Sequence, residues 1–197
     1  ITISSARLDY EYHVTRDMGA DYFSGDFTHT VAGRITAETG GWRGCPWAIT
    51  NSADDLSDIE GASGDGIYLV FFTFGIALKE VNGGSVTQDG YNTASNNTWY
   101  YLEIERDEAV GAHGTAYCRI YSDEARTSLV DTLTLALTEQ QDFRYIHCAN
   151  SWKVSGINTN TYSAEFKDLD IGVANGNGAA ELPGVPTVGV ATQVGWH

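Results

Sequence analysis

The sequence predicts an all-β protein, a two-sheet antiparallel jelly-roll sandwich with an extended C-terminal arm. Strand-like segments recur from end to end, and turn residues separate them. Helical signals are confined to SADDLSDIEG (52–61), whose capping-like start predicts one or two turns. The 197 residues suffice for one sandwich with a full core and are too few for two of ordinary size.

Ten segments have the alternation or the β-branched and aromatic content of strands. They are residues 8–14, 26–37, 47–51, 66–74, 76–81, 99–106, 115–122, 129–137, 143–152 and 162–172. Between the fifth segment and SVTQDGY, the run Asn82, Gly83, Gly84 predicts a tight hairpin, because these residues tolerate the positive φ of a primed turn. Residues 122–126 and 158–161 are predicted to be longer polar connections.

The most informative strand is NTWYYLEIERD (97–107), because its side chains alternate strictly. One predicted face carries Trp99, Tyr101, Glu103, Glu105 and Asp107, and the other carries Tyr100, Leu102, Ile104 and Arg106. A pleated strand with one buried side requires this pattern. We therefore expect the second face to lie against the core, with Arg106 paired to a carboxylate on a neighbouring strand, and the acidic row to face solvent.

The charge balance limits the class of partner. Twenty-six acidic against 11 basic residues give a formal net charge of -15 and a pI near 4.4. Such a surface repels phosphate, so nucleic acid and anionic membranes are poor partners, whereas neutral glycans, divalent cations and protein subunits remain. The longest apolar run (67–78) is shorter than the ~20 residues that cross a bilayer, and membrane insertion is not expected.

Three cysteines, Cys45, Cys118 and Cys148, are too few and too widely spaced for a disulfide framework or a zinc site. A cross-strand bridge between Cys118 and Cys148 is one interpretation, and buried free thiols are the favoured one. The five histidines have no HxxH or HxH spacing, so we expect no metal or general-base role for them.

Composition changes after Gly172, where two of the three prolines and several glycines occur. We predict a β-sandwich domain over residues 1–172 and an arm over residues 173–197. A tail that was only flexible would scarcely need its apolar residues, which are Leu182, Val185, Val188, Val190, Val194 and Trp196. A loosely ordered tail and an arm that packs on another copy or subunit are the two interpretations.

Several of these segments together resemble the concanavalin A-like lectin and glucanase superfamily. They are NTWYYLEIERD, GTAYCRIYSDEARTSLVDTLTLAL, DFRYIHCANSW and YFSGDFTHTV. More narrowly, they are similar to the lectin-like jelly-roll modules of phage and environmental structural proteins, over roughly residues 9–172. The resemblance implies that segments 8–14 and 162–172 pair side by side. It implies little about function, because this fold hosts lectins, hydrolases, adhesion modules and capsid proteins alike.

The resemblance raises the question of hydrolysis. Retaining glucanases of this superfamily carry Glu-x-Asp-x-Glu on one strand, with nucleophile and acid/base ~5 Å apart. Here the catalytic set would be Glu103, Glu105 and Asp107, with a shorter Asp at the end and Arg106 where an apolar residue is usual. We favour a solvated acidic face over a hydrolase site.

Two further sets of residues are candidate binding sites. The acidic loop residues Asp54, Asp55, Asp58, Glu60 and Asp65 suit a Ca²⁺ site by their oxygen chemistry, although their spacing is not that of an EF-hand. Four aromatics near turns could stack on sugar rings, namely Trp42, Trp47, Tyr91 and Trp152. Core packing is an equal alternative for Trp47 and Trp152.

The sequence therefore favours a non-catalytic lectin-like structural or recognition module on the surface of a larger assembly, either a virion surface or an extracellular filament. Its partners would be other copies or neighbouring subunits, and also glycans. An autonomous carbohydrate-binding domain is the second interpretation, and a glucanase-like glycoside hydrolase is the third.

Overall fold

The computed structural model describes residues 2–5, 12–38, 42–61, 63–153 and 162–172. This part of the chain forms thirteen strands and one short helix. They are β1 (Thr2–Ser5), β2 (Tyr12–Asp17), β3 (Phe27–Glu38), β4 (Trp42–Cys45), β5 (Ala48–Thr50), α1 (Leu56–Gly61), β6 (Gly66–Phe72), β7 (Gly75–Asn82), β8 (Ser85–Tyr91), β9 (Tyr100–Asp107), β10 (Thr115–Tyr121), β11 (Leu129–Ala136), β12 (Tyr145–Lys153) and β13 (Tyr162–Asp170). Within these ranges no helix is long and apolar enough to cross a membrane.

The strands form two antiparallel sheets. The six-stranded sheet has the order β1-β13-β3-β9-β10-β11, and the seven-stranded sheet has the order β2-β12-β4-β6-β7-β8, with β5 paired to both β12 and β6. The runs β9-β10-β11 and β6-β7-β8 are consecutive in the chain, whereas other neighbours, such as β3 with β13 and β2 with β12, are distant in sequence, as in a jelly roll. The predicted all-β sandwich is confirmed.

The main core lies between the sheets and follows the two-residue period of the strands. Leu102 and Ile104 of β9 pack there with Leu69 and Phe71 of β6, and all four are almost completely buried. Arg106, the next inward position on β9, is only 2% exposed. It contacts Glu108 at 3.3 Å, just beyond its own strand, and not the neighbouring-strand carboxylate that we expected.

Local turn chemistry agrees with the sequence at two places. Gly83 and Gly84 have φ of 55° and 80° and close the β7–β8 hairpin, in which Asn82 pairs with Ser85. Helix α1 is six residues long, and Asp55 accepts hydrogen bonds from the amides of Ser57 and Asp58 at its start.

The predicted pairing of segments 8–14 and 162–172 is wrong. β2 pairs with β12 in the seven-stranded sheet, and β13 pairs with β1 and β3 in the six-stranded sheet. Thr15 of β2 hydrogen-bonds His147 of β12, which helps to hold the first long strand in the opposite layer. Residues 6–11 lie outside the described residues.

All three cysteines are free, and the interpretation as a disulfide is wrong. Cys118 lies in the six-stranded sheet and Cys148 in the seven-stranded sheet, so the core separates them. Cys45 and Cys118 are fully buried, and burial raises the pKa of both thiols.

Several carboxylates accept hydrogen bonds from backbone amides at strand edges and turns. Asp89 of β8 accepts from the Thr134 amide at 2.8 Å, which joins the edge strands of the two sheets. Glu80 of β7 accepts from the amide of Thr138, just after β11, at 3.0 Å. In the 122–128 turn, Asp123 accepts from the amides of Thr127 and Ser128. The apolar arm residues and residues 158–161 lie outside the described residues.

Candidate functional site

The outer face of the six-stranded sheet carries a group of aromatic and ionic side chains. Because Leu102 and Ile104 point into the core, the alternate residues of the β9 segment point outward. Across β9 and β10 the register pairs Tyr101 with Tyr121, Glu103 with Arg119, and Glu105 with Tyr117. We call this surface the outer platform, which consists of Trp99, Tyr101, Glu103, Glu105, Tyr117, Arg119 and Tyr121.

An ion-pair network lies at the centre of the outer platform. One nitrogen of Arg119, Nη1, is 2.8 Å from Glu103 Oε1 and 2.6 Å from Glu105 Oε2. The two carboxylates raise the pKa of the guanidinium, and the hydrogen bond that Arg119 donates to Glu105 is the largest cause. Both carboxylates are therefore engaged by one guanidinium. In a retaining glycosidase the two carboxyl groups instead flank the scissile bond, one as nucleophile and one as proton donor.

Asp107, the third acid of the row, has a separate local role. Its Oδ1 accepts from the amide of Ala109 at 2.9 Å. It also lines a polar pocket of about 150 Å³ with Asp26, Thr28 and Glu105. Ligand pockets usually measure ~300–1,000 Å³, so this pocket is small for a sugar ring. The predicted solvated acidic face is consistent with these contacts, and the three acids do not line a sugar-sized cleft there.

Cations lie over the aromatic rings at the other end of the outer platform. Trp99 and Tyr101 have ring centroids 6.5 Å apart. The Arg34 guanidinium lies 5.0 Å from the Trp99 ring centroid, and Lys167 Nζ lies 5.1 Å from the same centroid. Arg34 also pairs with Glu165 at 2.8 Å. Tyr101 is only 9% exposed, whereas Trp99, Arg34 and Lys167 are half-buried and present an aromatic ring and hydrogen-bonding groups to solvent.

The four aromatics that we predicted as sugar contacts do not form one surface. Trp47 is completely buried in the core, where its Nε1 donates to His29 Nδ1 at 3.0 Å, so its assignment is wrong. Tyr91 is half-buried and packs edge-on against Tyr100. Trp42 and Trp152 lie in β4 and β12, and their side chains fall outside the described part of the structure.

The five predicted calcium ligands are not brought together. Asp55 caps α1, while Asp65 accepts from the amide of Gly83 at 2.9 Å. Glu60 is directed to basic residues of the sheet. Among the described residues no group of three or more His, Cys, Asp or Glu has the geometry of a metal site. Asp54 accepts from the hydroxyl of Ser52, and Asp58 lies near Asp55. The five carboxylates therefore do not form the Ca²⁺ site that the sequence predicts, because capping, turn and ion-pair contacts engage them separately.

A second polar cluster lies on the outer face of the seven-stranded sheet. Glu60 Oε1 is 3.2 Å from Lys79 Nζ and 3.8 Å from Arg43 Nη1, and it accepts a hydrogen bond from the hydroxyl of Tyr68. Lys79 and Tyr68 are 5% and 0% exposed. Burial lowers the pKa of Lys79, an effect that Glu60 opposes, and burial raises the pKa of Tyr68.

Two histidines, His29 and His147, are buried and make polar contacts that the sequence did not indicate. His147 shares hydrogen bonds with Thr15 at 2.9 Å and Thr50 at 2.8 Å. His29 stacks on Phe27 with ring centroids 4.3 Å apart. Burial lowers the pKa of each histidine to about 4, so both are neutral at pH 7.

The sequence contained a signal for part of the outer platform that we did not use. Tyr117, Arg119 and Tyr121 alternate in GTAYCRIYS, and the same rule that placed Glu103 outward places them on one face. Arg43, Tyr68 and Lys79 had no comparable signal, because only the pairing of three strands brings them together.

No protein-family model matches the chain, and no curated protein matches it. Several solved structures are similar to it in fold. A family 7 alginate lyase in complex with substrate is 12% identical, with a TM-score of 0.56, over 90% of this chain and 79% of the lyase. An endo-β-1,4-glucuronan lyase from the fungus Trichoderma reesei is 12% identical, with a TM-score of 0.56, over 85% and 78%. This likeness shows the fold alone, a two-sheet jelly-roll β-sandwich.

Proposed function

We propose that the chain is a non-catalytic lectin-like recognition module, carried on the surface of a larger assembly, that contacts neutral glycans through the outer platform. The observation that carries the proposal is the alternation of aromatic and ionic side chains on β9 and β10. Aromatic faces pack on the apolar side of sugar rings, and charged groups hydrogen-bond the hydroxyls.

The charges favour a neutral glycan over an acidic one. Arg119, Arg34 and Lys167 each have a carboxylate partner within 3.5 Å. The chain as a whole carries a formal charge of -15. A polyanion would therefore be repelled at long range and would find the cations already paired. Structures of the same fold include an alginate lyase and a glucuronan lyase, which supports a carbohydrate as the class of ligand.

The glycan experiment compares the unmodified chain with three variants on an array of neutral and acidic glycans, followed by calorimetry on any hit. Trp99→Ala and Tyr121→Ser each remove one ring of the outer platform, and we expect at least tenfold weaker binding. Tyr145→Ser is the matched control, because Tyr145 is also half-buried beneath an arginine (Arg144 at 5.3 Å) but lies in the seven-stranded sheet. An array without hits, or equal losses in all three variants, would count against the outer platform.

The assembly role rests on the arm over residues 173–197, whose valines and Trp196 suit contact with another subunit. A virion surface or an extracellular filament is the proposed setting. Sedimentation of the full chain should show oligomers that grow with concentration and disappear when the chain is cut after Gly172. A full chain that stays monomeric, with glycan binding intact, would favour an autonomous carbohydrate-binding domain.

A further inference from the structure

Three side chains from three neighbouring strands converge on one carboxylate. Lys79 of β7, Arg43 of β4 and Tyr68 of β6 all contact the same oxygen, Oε1 of Glu60. Lys79 also lies 5.7 Å from the Tyr68 ring centroid. The three donors belong to the sheet, and the carboxylate belongs to α1. The sheet therefore presents a carboxylate-binding group that a separate element fills.

The cover over this group is small. Helix α1 has six residues and packs on the outer face of the sheet through Leu56 and Ile59. If Glu60 were removed, Lys79 would be a nearly buried cation without the carboxylate that pairs with it in the structure. It would also lie near the positive charge of Arg43. A buried charge without a partner is strongly unfavourable, so the three donors need a carboxylate from some source.

Asn150, on the same outer face of the seven-stranded sheet, has side-chain hydrogen-bonding atoms that no described residue uses. Asn150 is completely buried, and among the described residues neither its Nδ2 nor its Oδ1 has a hydrogen-bond partner. It pairs in register with Cys45, whose side chain belongs to the outer cluster beneath α1, so Asn150 points to this face too. Cys45 is two residues from Arg43 on β4. Asn150 therefore lies on the same face as the carboxylate-binding group, on the strand next to that of Arg43. Its amide donor and acceptor suit a ligand that has hydroxyl groups.

We propose that Arg43, Tyr68 and Lys79 form a binding site for the carboxylate of a sugar acid, that Asn150 contacts its hydroxyls, and that Glu60 occupies the site in place of the ligand when α1 is closed. This site is independent of the outer platform, because it lies on the other sheet and selects an acidic ligand.

The test uses Glu60→Ala in the full chain, which removes the internal carboxylate and keeps all three donors. Binding of sodium glucuronate, acetate and glucose is followed by calorimetry and by the melting temperature, at constant ionic strength. We expect the variant to bind glucuronate at least tenfold more tightly than the unmodified chain does. Acetate should bind more weakly because it has no hydroxyls, and glucose should not raise the melting temperature because it has no carboxylate.

Two variants make the result specific. Lys79→Met added to Glu60→Ala should abolish glucuronate binding, and Asn150→Ala added to it should lower glucuronate affinity but leave acetate affinity unchanged. Asp17→Asn, which removes a carboxylate that pairs with Arg144, should not create binding. Should Glu60→Ala fail to fold, the same ligand-binding measurements are made with Glu60→Gln, which has an uncharged side chain of equal size. No gain in glucuronate binding by the folded variant, or a gain that survives Lys79→Met, overturns the proposal.

Discussion

The phenolic oxygen of Tyr162 fills the space that a Cβ on residue 44 would need: a Cβ built on Gly44 would lie 2.0 Å from it. Tyr162 is in β13 of the six-stranded sheet, and Gly44 is in β4 of the seven-stranded sheet. The Tyr162 side chain therefore crosses the core and ends against backbone. Its hydroxyl is buried and has no hydrogen-bond partner among the described residues.

Gly44→Ala should lower the free energy of unfolding by about 2–3 kcal/mol, because the methyl group overpacks the core against an aromatic ring. Urea unfolding measures the change. Tyr162→Phe alone should be close to neutral, since it removes an unpaired hydroxyl, and in the Gly44→Ala background it should restore part of the loss. Gly61→Ala is the control, because no atom lies within 4 Å of that Cβ. Equal effects at residues 44 and 61 would contradict this packing.

Arg106 should be among the residues most sensitive to substitution. Its nitrogens donate to the carbonyls of Phe23, Gly25 and Gln141 at 2.7 to 2.9 Å. Arg106→Met leaves those carbonyls without the guanidinium and should cost about 3–5 kcal/mol of stability, measured by urea unfolding. Arg106→Lys cannot reproduce the planar fork of donors, so it should retain only part of the stability that Arg106→Met loses. Arg34→Lys, at a half-exposed ion pair, should change stability by less than about 1 kcal/mol.

Stability should fall as the solution is acidified from pH 6.5 to pH 4. Burial lowers the pKa of His29 and His147 from 6.5 to about 4, so in this range the unfolded chain binds protons that the folded chain does not. Each histidine contributes at most about 3 kcal/mol, and its contribution levels off below pH 4. Urea unfolding at several pH values should show a shallower slope for His147→Gln and an unchanged slope for exposed His113→Gln. If the pH dependence of stability were the same for His147→Gln as for the unmodified chain, the lowered pKa of His147 would be refuted.

We expect no polysaccharide cleavage that depends on the acidic row. β-Glucan, alginate and glucuronan would each be incubated with the full chain, and new reducing ends and unsaturated products would be measured. Because one nitrogen of Arg119 pairs with both Glu103 and Glu105, the two carboxylates are directed at the guanidinium and not at a substrate bond. Products that appear with the unmodified chain and vanish with Glu103→Gln would reverse the non-catalytic assignment.

Much of the fold could be predicted because strand alternation is a local signal. The faces of β9, the Gly83–Gly84 hairpin and the short helix after Ser52 all follow from neighbours in the chain. The sheet partners could not be predicted in this way, since β2 and β13 are placed by contacts between distant segments. For the same reason the sequence could not decide between a sugar contact and core packing for Trp47, because its buried partner His29 lies in the opposite sheet.

The carboxylates that bind backbone amides have a consequence for the acidity of this chain. Asp89 and Asp123 fix an edge strand and a turn, and Asp26 holds the amide of Glu108 at 2.8 Å. Substitutions that reduced the negative charge at these positions would release main-chain donors to water. Any attempt to neutralise the surface, for crystallisation or for binding to an anionic material, would loosen the connections between strands before it altered attraction to a partner.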